Sequence, residues 1–204
     1  MRKVRGEVSG IAVAVLLVMV AAPAAADMFG SDAYSFLKAV KDRDGAKAQE
    51  MLDKNPGTIV LTRDDNGDDA LHVVTKRRDL TWMQFMLSKG ATIDSRDRDG
   101  NTALIDAAQI GFADGVNQLL EVGAKANLAN DRGETALILA TQAHDIESVR
   151  DLLQYGADPG ETDHVAGLSA IDYAKRDSRS AQILTLLQSV KPVVHKNLAG
   201  PSIN

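Results

Sequence analysis

Asp99-Gly100-Asn101-Thr102-Ala103-Leu104-Ile105-Asp106-Ala107-Ala108 is followed by Gly111, Val116, Leu119-Leu120 and Gly123-Ala124. The same order returns 33 residues later as Arg132-Gly133-Glu134-Thr135-Ala136-Leu137, closing on Tyr155-Gly156-Ala157-Asp158-Pro159. Outward from this pair, Gly67, Gly100, Gly133 and Gly167 stand 33, 33 and 34 residues apart, and Ala70, Ala103, Ala136 and Ala170 keep that spacing. Gly90, Gly123 and Gly156 form a second series with a step of 33, each preceded at one fixed distance by Met86-Leu87, Leu119-Leu120 or Leu152-Leu153. Leu186-Leu187 continues the doublets. Four features sharing one period mark a chain of stacked units.

Each unit has a physical reading. Asp69, Thr102, Thr135 and Ser169 lie two residues after the first glycine series, and each carries a side-chain oxygen able to cap a starting helix. The segments that follow are rich in Ala and Leu, as a helix needs where it approaches neighbours closely. A break is expected at Gly111 and its equivalents Arg78 and His144, then a second helix, such as Asp114 to Leu120 or Glu147 to Leu153, with His144 opening the latter. The Gly-Ala pairs at Gly123 and Gly156 suit the left-handed end of a helix. The polar stretch before the next unit, for instance Asn127 to Gly133, suits a β-turn. One helix pair cannot bury its own apolar face, so the units must stack.

These residues resemble an ankyrin repeat. Asp99 to Ala124 and Arg132 to Pro159 carry the resemblance most clearly, Asp64 to Asp94 and Asp163 to Val190 with more drift, and Asp32 to Asn55 as a capping unit would. The fold class implied is all-α: an ankyrin-repeat solenoid of about five stacked helix-turn-helix units with β-turn or hairpin loops. Expected units are 32–56, 64–94, 97–127, 130–160 and 163–190, within a domain of residues 27–190. The family's Thr-Pro-Leu-His segment stands here as Thr-Ala-Leu-Ile at Thr102 and Thr135, Asp-Ala-Leu-His at Asp69 and Ser-Ala-Ile-Asp at Ser169. Proline pre-organises the first helical turn and alanine is only compatible with it. His72 alone can remake the family's link to its capping residue, with the Asp69 carboxylate as partner.

Composition agrees with close helix packing. Of 204 residues 45% are hydrophobic but only 4% aromatic, so the core must be built almost entirely from aliphatic side chains. The absence of cysteine excludes disulfides, thiolate metal sites and thiol nucleophiles. Residues 1–26 read as a secretory signal peptide: Arg2, Lys3 and Arg5 precede the apolar run Ile11 to Ala22, and Ala24-Ala25-Ala26 offers a cleavage site before Asp27. The apolar run is about half of the ~20 residues a spanning helix needs, which argues against an uncleaved anchor. Without this leader 20 basic and 27 acidic residues remain, a balance unsuited to nucleic acid. Lys76-Arg77-Arg78 is expected at a helix C-terminus, where cations complement the dipole. Residues 191–204, with Pro192, Gly200 and Pro201, are expected to form a disordered tail.

Chemical motifs are sparse. His72, His144, His164 and His195 never fall at a metal-binding spacing. Asp64-Asp65-Asn66-Gly67-Asp68-Asp69 and Ser95-Arg96-Asp97-Arg98-Asp99-Gly100 suggest calcium, the second having oxygen ligands at alternate places and Gly sixth. A single calcium loop requires a carboxylate first and a bidentate Glu twelfth, where this chain has Ser95 and Asp106, so both are read as repeat turns. There is no Gly-x-Ser-x-Gly elbow and no Gly-x-x-x-x-Gly-Lys loop. No catalytic residue, cofactor or metal is therefore expected, and Trp82 is read as a packing residue.

A surface remains. The turn tips Arg98-Asp99 and Asp131-Arg132, with the first-helix ends Lys76, Arg77, Gln109, Ile110 and Gln142, are the candidate contact residues. The resemblance implies a protein partner on the concave face. Mixed charge and few aromatics suggest contacts by ions and aliphatic groups rather than Trp or Tyr anchors. The expected protein is a monomeric, non-enzymatic, periplasmic binding module without stable membrane insertion. The alternatives are a regulatory or chaperone-like subunit of an exported enzyme, and an effector secreted to a host.

Overall fold

A computed structural model describes residues 25–190. The expected leader, apart from its last two residues, and the expected tail lie outside the described residues. Ten α-helices are present among the described residues: α1 (Ala25–Asp42), α2 (Gly45–Lys54), α3 (Ala70–Lys76), α4 (Leu80–Ser88), α5 (Ala103–Gln109), α6 (Ala113–Glu121), α7 (Ala136–Gln142), α8 (Ile146–Gln154), α9 (Ala170–Arg176) and α10 (Ala181–Ser189). α1 packs on α3, α3 on α5, α5 on α7 and α7 on α9, while α4, α6, α8 and α10 form a second row. The result is the all-α solenoid that the period implies. α1 begins ahead of the first expected unit at residue 32.

The first-row helices from α3 onward have seven residues each, too few to persist alone. Their ends are defined locally. Asp69 accepts from the Leu71 and His72 amides, Thr102 from Ile105, and Thr135 from Ile138. Ser169 makes a full capping box with Asp172. The first-row helices α3, α5 and α7 each stop where the next residue but one turns left-handed, at Arg78 (φ 57°), Gly111 (φ 62°) and His144 (φ 56°). His144 accordingly does not open α8. Its positive φ cannot continue a right-handed helix, and the carboxylate of Asp145 caps α8 through the Ser148 amide instead.

The loops stack as regularly as the helices. Asp64, Asp97, Asn130 and Asp163 each turn one side-chain oxygen onto two backbone amides of their own loop. Neighbouring tips then join backbone to backbone: Arg98 N–H donates to Asn66 O at 3.1 Å, Asp131 to Asp99 O at 3.1 Å and His164 to Arg132 O at 2.7 Å. The side chain of Arg63 donates to the Arg96 carbonyl and that of Arg96 to the Ala129 carbonyl, one unit along each time. This close approach explains a glycine. A Cβ on Gly100 (φ 77°) would lie 2.8 Å from the Asp131 amide nitrogen.

The core runs through the stack from Phe36 and Val40 to Ile183 and Leu187 and is largely aliphatic. Trp82 is half-buried against it, with the Phe85 ring edge-on at 5.6 Å and the Arg77 guanidinium 5.8 Å from its centroid. That matches its reading as a packing residue.

Candidate functional site

The stacked tips position the candidate contact residues. Arg98, Asp99, Asp131 and Arg132 are all exposed, because the backbone bonds between tips hold the main chain inward. Arg132 folds onto Glu134 at 2.7 Å. Gln109 and Gln142, at the ends of α5 and α7, are also exposed. Ile110 is half-buried and packed on the core. Arg77 is half-buried too, donating to the carbonyls of Val40 and Lys41 and to Asp79, so it ties α1 to the unit after it. At the N-terminal end a groove of about 780 Å³ opens between α1 and the loop at 62–66, lined in part by Tyr34, Lys38, Lys41, Arg63 and Asp65. Tyr34 is 71% exposed there, a large aromatic side chain at the surface of a chain that has few of them.

Lys76 lies in different surroundings. Its ammonium is 2.6 Å from Asp68, 3.2 Å from Asp97 and 3.5 Å from Asp106, the side chain remaining 39% exposed. Beside it is a fully buried pair. His72 Nδ1 is 2.9 Å from Asp69 Oδ1 and Nε2 is 3.1 Å from the Asn101 carbonyl. Both neighbours are acceptors, an arrangement that favours a proton on each ring nitrogen. Ser95 Oγ donates to the other oxygen of Asp69. The link between Asp69 and His72 is the one the capping motif implies.

The pKa directions follow from this packing. Burial works to lower His72, but the hydrogen bond and charge of Asp69 outweigh it and the imidazole is raised. Burial works to raise Asp69, and the His72 and Ser95 bonds overcome it, leaving the carboxyl low. Lys76 is raised despite burial, by Asp68 and Asp106. Asp106 goes the other way: burial pushes it up to about 7 although Lys76 and His72 oppose the shift. In the sequence Asp68, Asp97 and Asp106 belong to separate turns and helices. Only the stacking of units brings them together.

Repeated helix pairs, two helix rows and a ladder of loop tips define a solenoid whose invariant part is its stacking and whose variable part is its surface. The family model for Ankyrin repeats (3 copies) matches residues 36–130 and again residues 71–163. The chain belongs to the ankyrin-repeat family. Its repeats make it a protein–protein interaction module, of a family that is typically non-enzymatic. No curated protein matches the chain. Among the described residues no helix is long and apolar enough to cross a membrane.

Proposed function

We propose that this chain is an exported binding module that holds a protein partner along its row of loop tips and first-helix ends. The observation that carries the reading is the ladder of tip-to-tip backbone bonds. It uses up the main chain and leaves Arg98, Asp99, Asp131 and Arg132 exposed in register, with Gln109 and Gln142 on the helix ends. Side chains that vary between units while the scaffold repeats are free to serve recognition. Export is supported by the basic, apolar and small-residue segments of residues 1–26 and by the absence of cysteine. Alternating charges at the tips favour a partner of mixed charge, docked by electrostatic complementarity.

Crosslinking in cells, followed by osmotic shock and mass spectrometry, tests both parts. One protein should be recovered through the tip residues, from the shock fraction, and charge reversal at Arg98 and Arg132 should abolish its recovery. Undiminished capture by the reversed chain would refute the surface assignment. Recovery of the chain only from the cytosolic fraction would refute export.

A further inference from the structure

Three elements bring a carboxylate to one spot: Asp68 from the loop before α3, Asp97 from the following loop and Asp106 from α5. One oxygen from each lies within 4.8 Å of the others. Oxygens on opposite sides of a hard divalent cation have that separation, since its bonds to oxygen run about 2.0–2.6 Å. The Lys76 ammonium already sits among these oxygens, so the spot is cation-shaped. Yet it is a single positive charge facing three carboxylates, and the fourth acid nearby, Asp69, is matched by His72.

A second observation concerns Asp106. Its side chain is 2% exposed, and its buried Oδ2 has the Lys76 ammonium 3.5 Å away but no hydrogen-bond partner. Burying such an oxygen is costly. The equivalent places in neighbouring units are taken by Val73, Leu139 and Tyr173, so the fold does not require an acid there. Burial pushes the carboxyl up to about 7 even with Lys76 beside it. Once all three acids are ionised, they carry more negative charge than the one ammonium neutralises. Lys76 has a long flexible stem and a partly exposed side chain, which gives the ammonium a way out to solvent.

We propose that Asp68, Asp97 and Asp106 form a site for a hard divalent cation, of the Ca²⁺ or Mn²⁺ type, which enters by displacing the Lys76 ammonium. The donors are all carboxylate oxygens, the choice of hard ions. His72 is unsuited to ligation because both its nitrogens are engaged by Asp69 and Asn101. A bound divalent ion halves the surplus negative charge. It also ties the loop before α3 to α5, so binding clamps two consecutive units.

The test uses chelator-treated full chain at pH 8, titrated with CaCl₂ or MnCl₂ alone and followed by calorimetry, thermal unfolding and the free Mn²⁺ resonance. Wild type should bind one ion, with a Kd of roughly 10⁻⁴–10⁻³ M as in modest oxygen-ligated sites, and its melting temperature should rise with ion concentration. Asp106→Asn, which keeps the shape, should weaken binding at least about tenfold. Lys76→Met, which keeps the stem but removes the competing charge, should tighten it by about tenfold or more. No binding by wild type up to about 10 mM overturns the proposal, since that is at least tenfold above the expected Kd. Equal affinity in folded Asp106→Asn also overturns it. So does binding confined to Lys76→Met, which would make the ammonium the permanent occupant.

Discussion

Two successive junctions in the stack, α3 on α5 and α5 on α7, occupy the same place in the repeat and differ in chemistry. At the first, Asp69, His72 and Lys76 face Ser95, Asp97 and Asp106; at the second, the same register holds Thr102, Ile105 and Gln109 against Leu128, Asn130 and Leu139. The second junction sets Leu137 and Ile138 against α5, with the Thr102 hydroxyl as a cap and the Asn130 amide turning its own loop and donating to Asn101. The first buries Leu71 and Val74 as well, but adds Asp69, His72 and Asp106. One repeat scaffold thus accepts either an apolar seam or an ionic one, because the helix rows set the spacing and the side chains only have to fill it.

Substitutions can break this contrast in order of size. Asp69→Ala should be the most damaging, at ~3–5 kcal/mol, because it removes the cap of α3 and leaves the buried His72 charge unpaired. Thr102→Ala at the matching place in the apolar seam should cost only ~1 kcal/mol, and equal losses in urea unfolding would erase the distinction. Leu120→Ala should cost ~2–5 kcal/mol, since the side chain is 2% exposed. Leu153→Ala, at a half-buried site, should cost less, and an unchanged midpoint for Leu120→Ala would contradict the packing register.

Asp106→Leu, which copies Leu139, should stabilise the metal-free protein by ~1–4 kcal/mol, as apolar replacement of a buried ion often does. A lowered melting temperature would show that Asp106 contributes more to the seam than it costs. The ionic seam should also depend on pH. His72 is raised above its ordinary 6.5, so its contribution is complete below that pH and lost as pH rises through the folded value. Asp69 is lowered below its ordinary 3.8, so its contribution is present above that pH and lost as pH falls through the folded value. The stability gap between wild type and His72→Leu should therefore be widest near pH 5. A gap that is flat with pH would mean that the His72 pKa is the same in the folded and unfolded chain, and one that narrows as pH falls below 6.5 would mean that the ring is buried neutral. The smallest effect belongs to the tips: charge reversal at Arg98 and Arg132 should move stability by no more than ~0.5 kcal/mol while partner capture is lost.

Much of the scaffold was readable in the chain because its causes are local. Caps at Asp69, Thr102, Thr135 and Ser169 act within three residues, and the link from Asp69 to His72 spans one helical turn. The period places the break at His144, but whether that residue ends one helix or opens the next depends on its left-handed φ, which a non-glycine residue does not announce. A helix-end position makes Arg77 look like a contact residue, but its bonds to Val40 and Lys41 cross 36 or more residues that no local pattern connects. The exposure of Tyr34 in a groove likewise depends on what packs beside it, which no local pattern carries.

By itself, then, the sequence determined the period, the helix boundaries of most units and the class of fold, because hydrophobic spacing and capping chemistry act over a few residues and repeat. The tertiary structure alone decided what each seam contains. Asp68, Lys76, Asp97 and Asp106 lie up to 38 positions apart in the chain. They meet because adjacent units stack at a fixed distance, and burial between those units is what turns four ordinary charged residues into a coupled cation site.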